Sequence, residues 1–111
     1  MSEVTMIYQE IAKIVVGFGP EDAKSLIYTF VVQAEGTDKE GAVYRHEFDY
    51  INKNNELNWF GEERLAVTGL LTPLALQLRS HIESQSNAKW KSMEFVIDME
   101  KRSFEAKFSY D

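Results

Sequence analysis

The chain has 111 residues, 44% of them hydrophobic and 13% aromatic, which is the length of one domain with enough apolar side chain to fill a core. Twelve Lys and Arg stand against eighteen Asp and Glu, a net charge of −6, so the surplus of positive charge that holds nucleic-acid phosphates is missing and direct DNA or RNA binding is not expected. There is no cysteine, no apolar run near the roughly 20 residues of a membrane span, and no basic-then-apolar leader in "MSEVTMIYQE", so the expected setting is the cytoplasm, away from any membrane.

A first helix is predicted over residues 4–18. Ile7, Ile11, Ile14, Val15 and Phe18 recur at spacings of three and four, which marks one helical face. Thr5 is placed to cap a slightly later start. "GFGP" (17–20) ends the helix with a glycine cap and a proline that cannot continue it. "PEDAKS" then reads as a turn or a single helical turn. The first strand is predicted at 26–34, rich in β-branched and aromatic residues. Its apolar side chains fall on both parities: Tyr28, Phe30 and Val32 on one, Ile27 and Val31 on the other. That pattern predicts cover on both faces, at least in part. "EGTDKEG" (35–41) is a polar hairpin loop. In the second strand, 42–50, Tyr44, His46, Phe48 and Tyr50 alternate with Arg45, Glu47 and Asp49. "INKNNELNWFGEE" (51–63) reads as a polar loop, because its asparagines favour turns; it carries Trp59 and Phe60.

The second helix is predicted over 62–85. Leu71, Leu74, Leu78 and Ile82 form its stripe, helped by Leu65 and Leu70. Glu62 and Glu63 open it, where the helix dipole favours acids. Pro73 removes one backbone donor, which predicts a kink or a split near Thr72. In the third strand, 90–99, Met93, Phe95, Ile97 and Met99 oppose Glu94 and Asp98. "EKRS" links it tightly to the last strand, where Phe104, Ala106, Phe108 and Tyr110 alternate with Glu105, Lys107 and Ser109. The expectation is a single α+β domain over residues 1–111 in the order α-β-β-α-β-β. Its four strands form one antiparallel sheet, with both helices on one face in a two-layer arrangement.

The residues offer little for catalysis. His46 lies on the apolar parity of its strand, between Tyr44 and Phe48, and reads as a half-buried, hydrogen-bonded histidine. His81 flanks the Leu78/Ile82 stripe. No H-x-x-x-H spacing gathers a metal site, and "GFGP" follows a helix, whereas phosphate-binding glycine loops follow a strand. Eighteen acids are present, but no spacing singles out a catalytic pair. A non-enzymatic protein without metal or cofactor is expected.

Binding is better supported. Glu47, Asp49, Glu94, Asp98 and Glu105 all point away from the apolar parity of their strands, interrupted by Arg45 and Lys107. If the strands share a sheet, its open face has an acidic bias; the plainer reading is a solvated face. Trp59 sits in a polar segment, as aromatic hot-spot anchors do. Alternatively it folds back as a lid on the core. The net charge of −6 fits either simple solubility or steering toward a basic partner.

"MIYQEIAKIV" (6–15) resembles the N-terminal "LYQ-IA" helix of the YezG-like immunity proteins. "FEAKFSYD" (104–111) is similar to that family's closing strand, with its alternating aromatics and terminal Tyr-Asp. The order of elements between them is similar too, so short motifs carry a resemblance that spans nearly the whole chain. The resemblance implies a cytoplasmic inhibitor of a polymorphic, contact-dependent toxin used in interbacterial competition. Its partner would be the C-terminal toxin domain of a delivered effector, commonly a nuclease, whose basic substrate surface suits an acidic inhibitor. The family's second helix is typically continuous, acidic and amphipathic, whereas this one holds Gly69 and Pro73 and is apolar over "LLTPLALQL". No family motif fixes the toxin contacts, so side-chain pattern alone nominates Glu47, Asp49, Trp59, Glu94 and Asp98 as partner-binding residues. The alternative function is a small cytoplasmic adaptor or ligand-binding domain without enzymatic activity.

Overall fold

The structure is a computed structural model that describes residues 2–37, 41–61 and 64–110, the side chains of Arg64 and Leu65 aside. In chain order it has α1 (Glu3–Phe18), β1 (Ala23–Ala34), β2 (Val43–Asn52), β3 (Leu57–Trp59), α2 (Arg64–Ser86), β4 (Ser92–Asp98) and β5 (Ser103–Ser109). The strands make one sheet in the order β3-β2-β1-β4-β5, antiparallel at every step. The α+β character and the packing of the helices on the sheet match the sequence reading. The strand count does not: the sheet has five strands and the element order is α-β-β-β-α-β-β.

The extra strand comes from the segment read as a loop. Its asparagines do make a turn. The Asn52 carboxamide oxygen accepts from the backbone N–H groups of Asn54 (2.9 Å) and Glu56 (3.0 Å), and Asn55 takes a left-handed φ of 63°. That turn folds Leu57–Trp59 back along β2, pairing Ile51 with Leu57, Tyr50 with Asn58 and Asp49 with Trp59. Three residues, all exposed, give no alternation that could announce a strand.

At the start of α1, Ser2 rather than Thr5 is the cap: its hydroxyl accepts from Thr5 N at 3.1 Å. At the other end, Gly19 N–H bonds Val15 O at 2.9 Å, but Gly19 has φ −76° and is not a left-handed cap. Glycine is needed there for another reason. A Cβ at Gly19 would lie 2.8 Å from a Leu26 methyl, so only glycine lets the helix exit pass so close to β1. A turn at Glu21 and Asp22 then starts β1 three residues earlier than predicted.

Helix α2 runs unbroken from Arg64 to Ser86, so of the kink or split expected near Thr72 the split is absent. Pro73 lacks an N–H for the Gly69 carbonyl, and both residues are exposed, where water can satisfy the freed oxygen. Leu71, Ala75 and Leu78 are fully buried, with Leu74 and Ile82 beside them. Leu70 is 59% exposed and does not join the core. Glu62 and Glu63, and the side chain of Leu65, lie outside the described residues.

Both helices press on one face of the sheet. Ile7, Ile11 and Val15 of α1 and the α2 stripe meet Leu26, Tyr28 and Phe30 of β1, Phe48 of β2, and Met93, Phe95 and Ile97 of β4. Burying side chains of this size contributes about 1.5–3 kcal/mol each. On the other face of β1, Ile27 and Val31 are half-buried by their neighbours in the sheet, and no helix among the described residues covers them. The expected cover on both faces of this strand is therefore lateral only.

Candidate partner-binding face

The strand register sets side chains in rows across the uncovered face of the sheet. One row runs Trp59, Asp49, Ile27, Val96, Glu105. The next runs Glu47, Thr29, Glu94, Lys107. On the other side of the first row lie Leu57, Ile51, Ser25, Asp98 and Ser103. Directly opposed residues in such rows sit about 5 Å apart, and all of them point to the same side. Glu47, Asp49, Trp59, Glu94 and Asp98, nominated from three separate stretches of sequence, thus share one face in adjacent rows.

Their environments differ. Trp59 is 70% exposed on the edge strand, so it is not a lid; its neighbour Phe60 takes that role, buried against Phe18, Phe48 and Tyr50. Period-two alternation through β3 sends one aromatic out and the next one in. Asp49 is half-buried beside Trp59. Partial desolvation, and secondarily the charge of Glu47, hold its carboxyl above the usual aspartate range. Glu47 itself pairs with Arg45 Nε at 3.3 Å along the same strand. Glu94 is exposed. Asp98 has a local task as well, since one carboxylate oxygen accepts from the N–H groups of Glu100 and Lys101, each at 3.0 Å, and shapes the β4–β5 turn. Glu47, Phe48, Asp49, Trp59 and Phe60 line a shallow depression of about 330 Å³.

Sequence reasoning missed the apolar part of this face. Ile27, Val96, Ile51 and Leu57 stand among the acids, so the surface is an apolar strip bordered by negative charge. The second apolar parity of β1 was the available signal. A surface of this kind favours a partner with apolar groups ringed by cations.

The remaining polar groups serve the fold. The Thr72 hydroxyl donates to Thr68 O at 2.7 Å, which leaves its oxygen to accept from His46 Nε2 (3.2 Å), while Tyr28 O–H donates to His46 Nδ1 (2.9 Å). A neutral imidazole with its proton on Nε2 satisfies both of these contacts. His81 Nε2 lies 2.9 Å from Glu3 and ties α2 to α1. Arg79, 8% exposed, was not foreseen. Its Nε donates to Trp90 O at 2.7 Å, and its two terminal nitrogens grip the Glu35 carboxylate. That hydrogen-bonded grip lowers the Glu35 pKa. Among the described residues no three of His, Cys, Asp and Glu gather into a metal-binding group, and no helix is long and apolar enough to cross a membrane. A groove of about 500 Å³ between the helices is lined by Met6, Ile7, Leu74 and His81, among others. No protein-family model matches the chain, and no curated protein matches it significantly.

Proposed function

We propose that the protein is a non-catalytic immunity protein of the cytoplasm that binds one cognate toxin domain, a nuclease with a basic substrate surface, and occludes it. The observation that supports this reading is the convergence of Trp59, Asp49, Glu47, Glu94 and Asp98 on a sheet face that no helix covers. In this reading Trp59 is the apolar anchor, and Ile27 and Val96 extend the contact. The acids meet the cations with which the nuclease holds phosphate. The net charge of −6 speeds the encounter. The resemblance of "MIYQEIAKIV" and "FEAKFSYD" to the YezG-like immunity proteins points the same way.

The test pairs binding with protection. The C-terminal domain of the effector encoded immediately upstream is titrated with this protein, and the same pair is co-expressed in a growth-rescue assay. One-to-one binding with rescue is the expected result. Absence of both would remove the immunity reading. The groove between the helices would then favour the second reading, an adaptor or ligand-binding domain.

A further inference from the structure

We infer that the chain forms a two-fold homodimer through antiparallel pairing of β5 with β5 of a second copy, centred on Ala106. β5 is the last strand of the sheet, and among the described residues no strand pairs with its far edge. The backbone groups of alternate residues along this seven-residue strand turn to that far edge, a template for another strand. The occupant is specified by the sequence of the strand, Ser-Phe-Glu-Ala-Lys-Phe-Ser, which is its own complement when read backwards. With Ala106 opposite Ala106, Ser103 meets Ser109, Phe104 meets Phe108 and Glu105 meets Lys107, each pair occurring twice by symmetry.

Three features favour this register over mere edge chemistry. A lysine on an edge strand ordinarily keeps other strands away. Here the two-fold sets Glu105 opposite Lys107, and opposite charges across a strand pair attract. Neither residue makes an ion pair within its own chain among the described residues. A slip of two residues either way sets Glu105 against Glu105 or Lys107 against Lys107, so the charges select one register. Finally, Phe104 is 39% exposed although it stacks on Phe95 and meets Tyr8 at a tilt, and the pairing covers its open side with Phe108 of the second copy. The two-fold axis stands perpendicular to the sheet. The dimer is thus a ten-stranded sheet with all four helices on one side and both open faces on the other. This inference does not depend on what the open face binds.

The contact falls at the low end of interface sizes, below about 1,200 Å². Sedimentation equilibrium is therefore run from low micromolar up to about 1 mM chain, where mass should rise from one chain to two. Glu105→Lys and Lys107→Glu, both at exposed positions, should each stay monomeric, with circular dichroism and thermal unfolding as folding controls. An equimolar mixture of the two variants should form a heterodimer, and the double swap E105K/K107E should restore self-association to within a few-fold of the parent. A parent that stays monomeric throughout, or a dimer that survives either single variant at unchanged affinity, overturns the proposal.

Discussion

Asp49 on β2 stands directly opposite Trp59 on β3, a half-buried carboxylate against a ring that is 70% exposed. The aromatic sits at the sheet's edge and contributes nothing to the core cluster. Trp59→Ala should therefore leave stability within about 0.5 kcal/mol of the parent. Under the proposed function Trp59 is the anchor, and its removal should weaken toxin binding by about 2 kcal/mol, close to 30-fold. Urea unfolding and calorimetric titration, run on the same preparation, check both halves.

Glu47 and Glu94 both oppose Thr29, one from each neighbouring strand, and so lie within one row. Reversing both to lysine changes the local charge by four units without touching the core. Under the proposed function, the double variant should bind a basic toxin domain with an association rate at least ~10-fold lower at low salt, and the rate should lose most of its salt dependence. Stopped-flow mixing at two ionic strengths measures this. An unchanged rate would sink the acidic-face mechanism.

The raised pKa of Asp49 gives two pH dependences of defined sign. In the folded chain this carboxyl holds its proton to higher pH than in the unfolded chain. Its contribution to stability is therefore greatest at low pH and falls as pH rises from the ordinary aspartate value through the folded one. Binding runs the other way. A cation from the partner favours the charged form, so affinity should increase as pH rises through the same window. Asp49→Asn should flatten both profiles, read by urea midpoints and by calorimetry across the acidic range.

Legibility followed the length of the pattern that carried each feature. Helix α1 and strands β2, β4 and β5 repeat their apolar period over seven residues or more, and they appear where the sequence puts them. β3 has three residues, and its existence depends on the turn built from Asn52 and Asn55, which composition alone reads as loop. The nominated site residues could be read because a period of two assigns each acid to a face. Their mutual position could not, because the order β3-β2-β1-β4-β5 is set by pairing between distant strands. Arg79 had no signal at all. An arginine one residue from Leu78 on a helix reads as solvated, and only the approach of Glu35, forty-four residues away, makes it a buried partner.

That buried arginine yields a stability prediction. Arg79→Ala leaves the Trp90 carbonyl without its donor and removes the grip on Glu35. It should cost about 2–3 kcal/mol, mostly from the unsatisfied buried carbonyl and lost packing. Glu35→Gln should cost less than about 1 kcal/mol, since that side chain is more than half exposed and solvent screens the pair. The pH signature is distinct from that of Asp49. Glu35 has a lowered folded pKa, so its contribution is present above the ordinary glutamate value and is lost as pH falls through the folded one. Denaturant midpoints for parent and Glu35→Gln should therefore converge in acid.

Two glycines two residues apart separate close approach from helix propensity. Gly17 lies in α1 with nothing within 4 Å of an added Cβ. Gly17→Ala should stabilise the protein by about 0.5–1 kcal/mol, the ordinary gain for a helical position. At Gly19 the same methyl would meet Leu26 methyls at 2.8 and 2.9 Å and the Val15 carbonyl at 3.2 Å. The Leu26 methyls end a flexible side chain, but Leu26 is fully buried and has little room to move. Gly19→Ala should destabilise by about 1–3 kcal/mol through overpacking. Thermal unfolding of the two variants should thus shift in opposite directions. If both rise, Leu26 yields more readily than its burial implies, and the exit of α1 is not held to β1 by this contact.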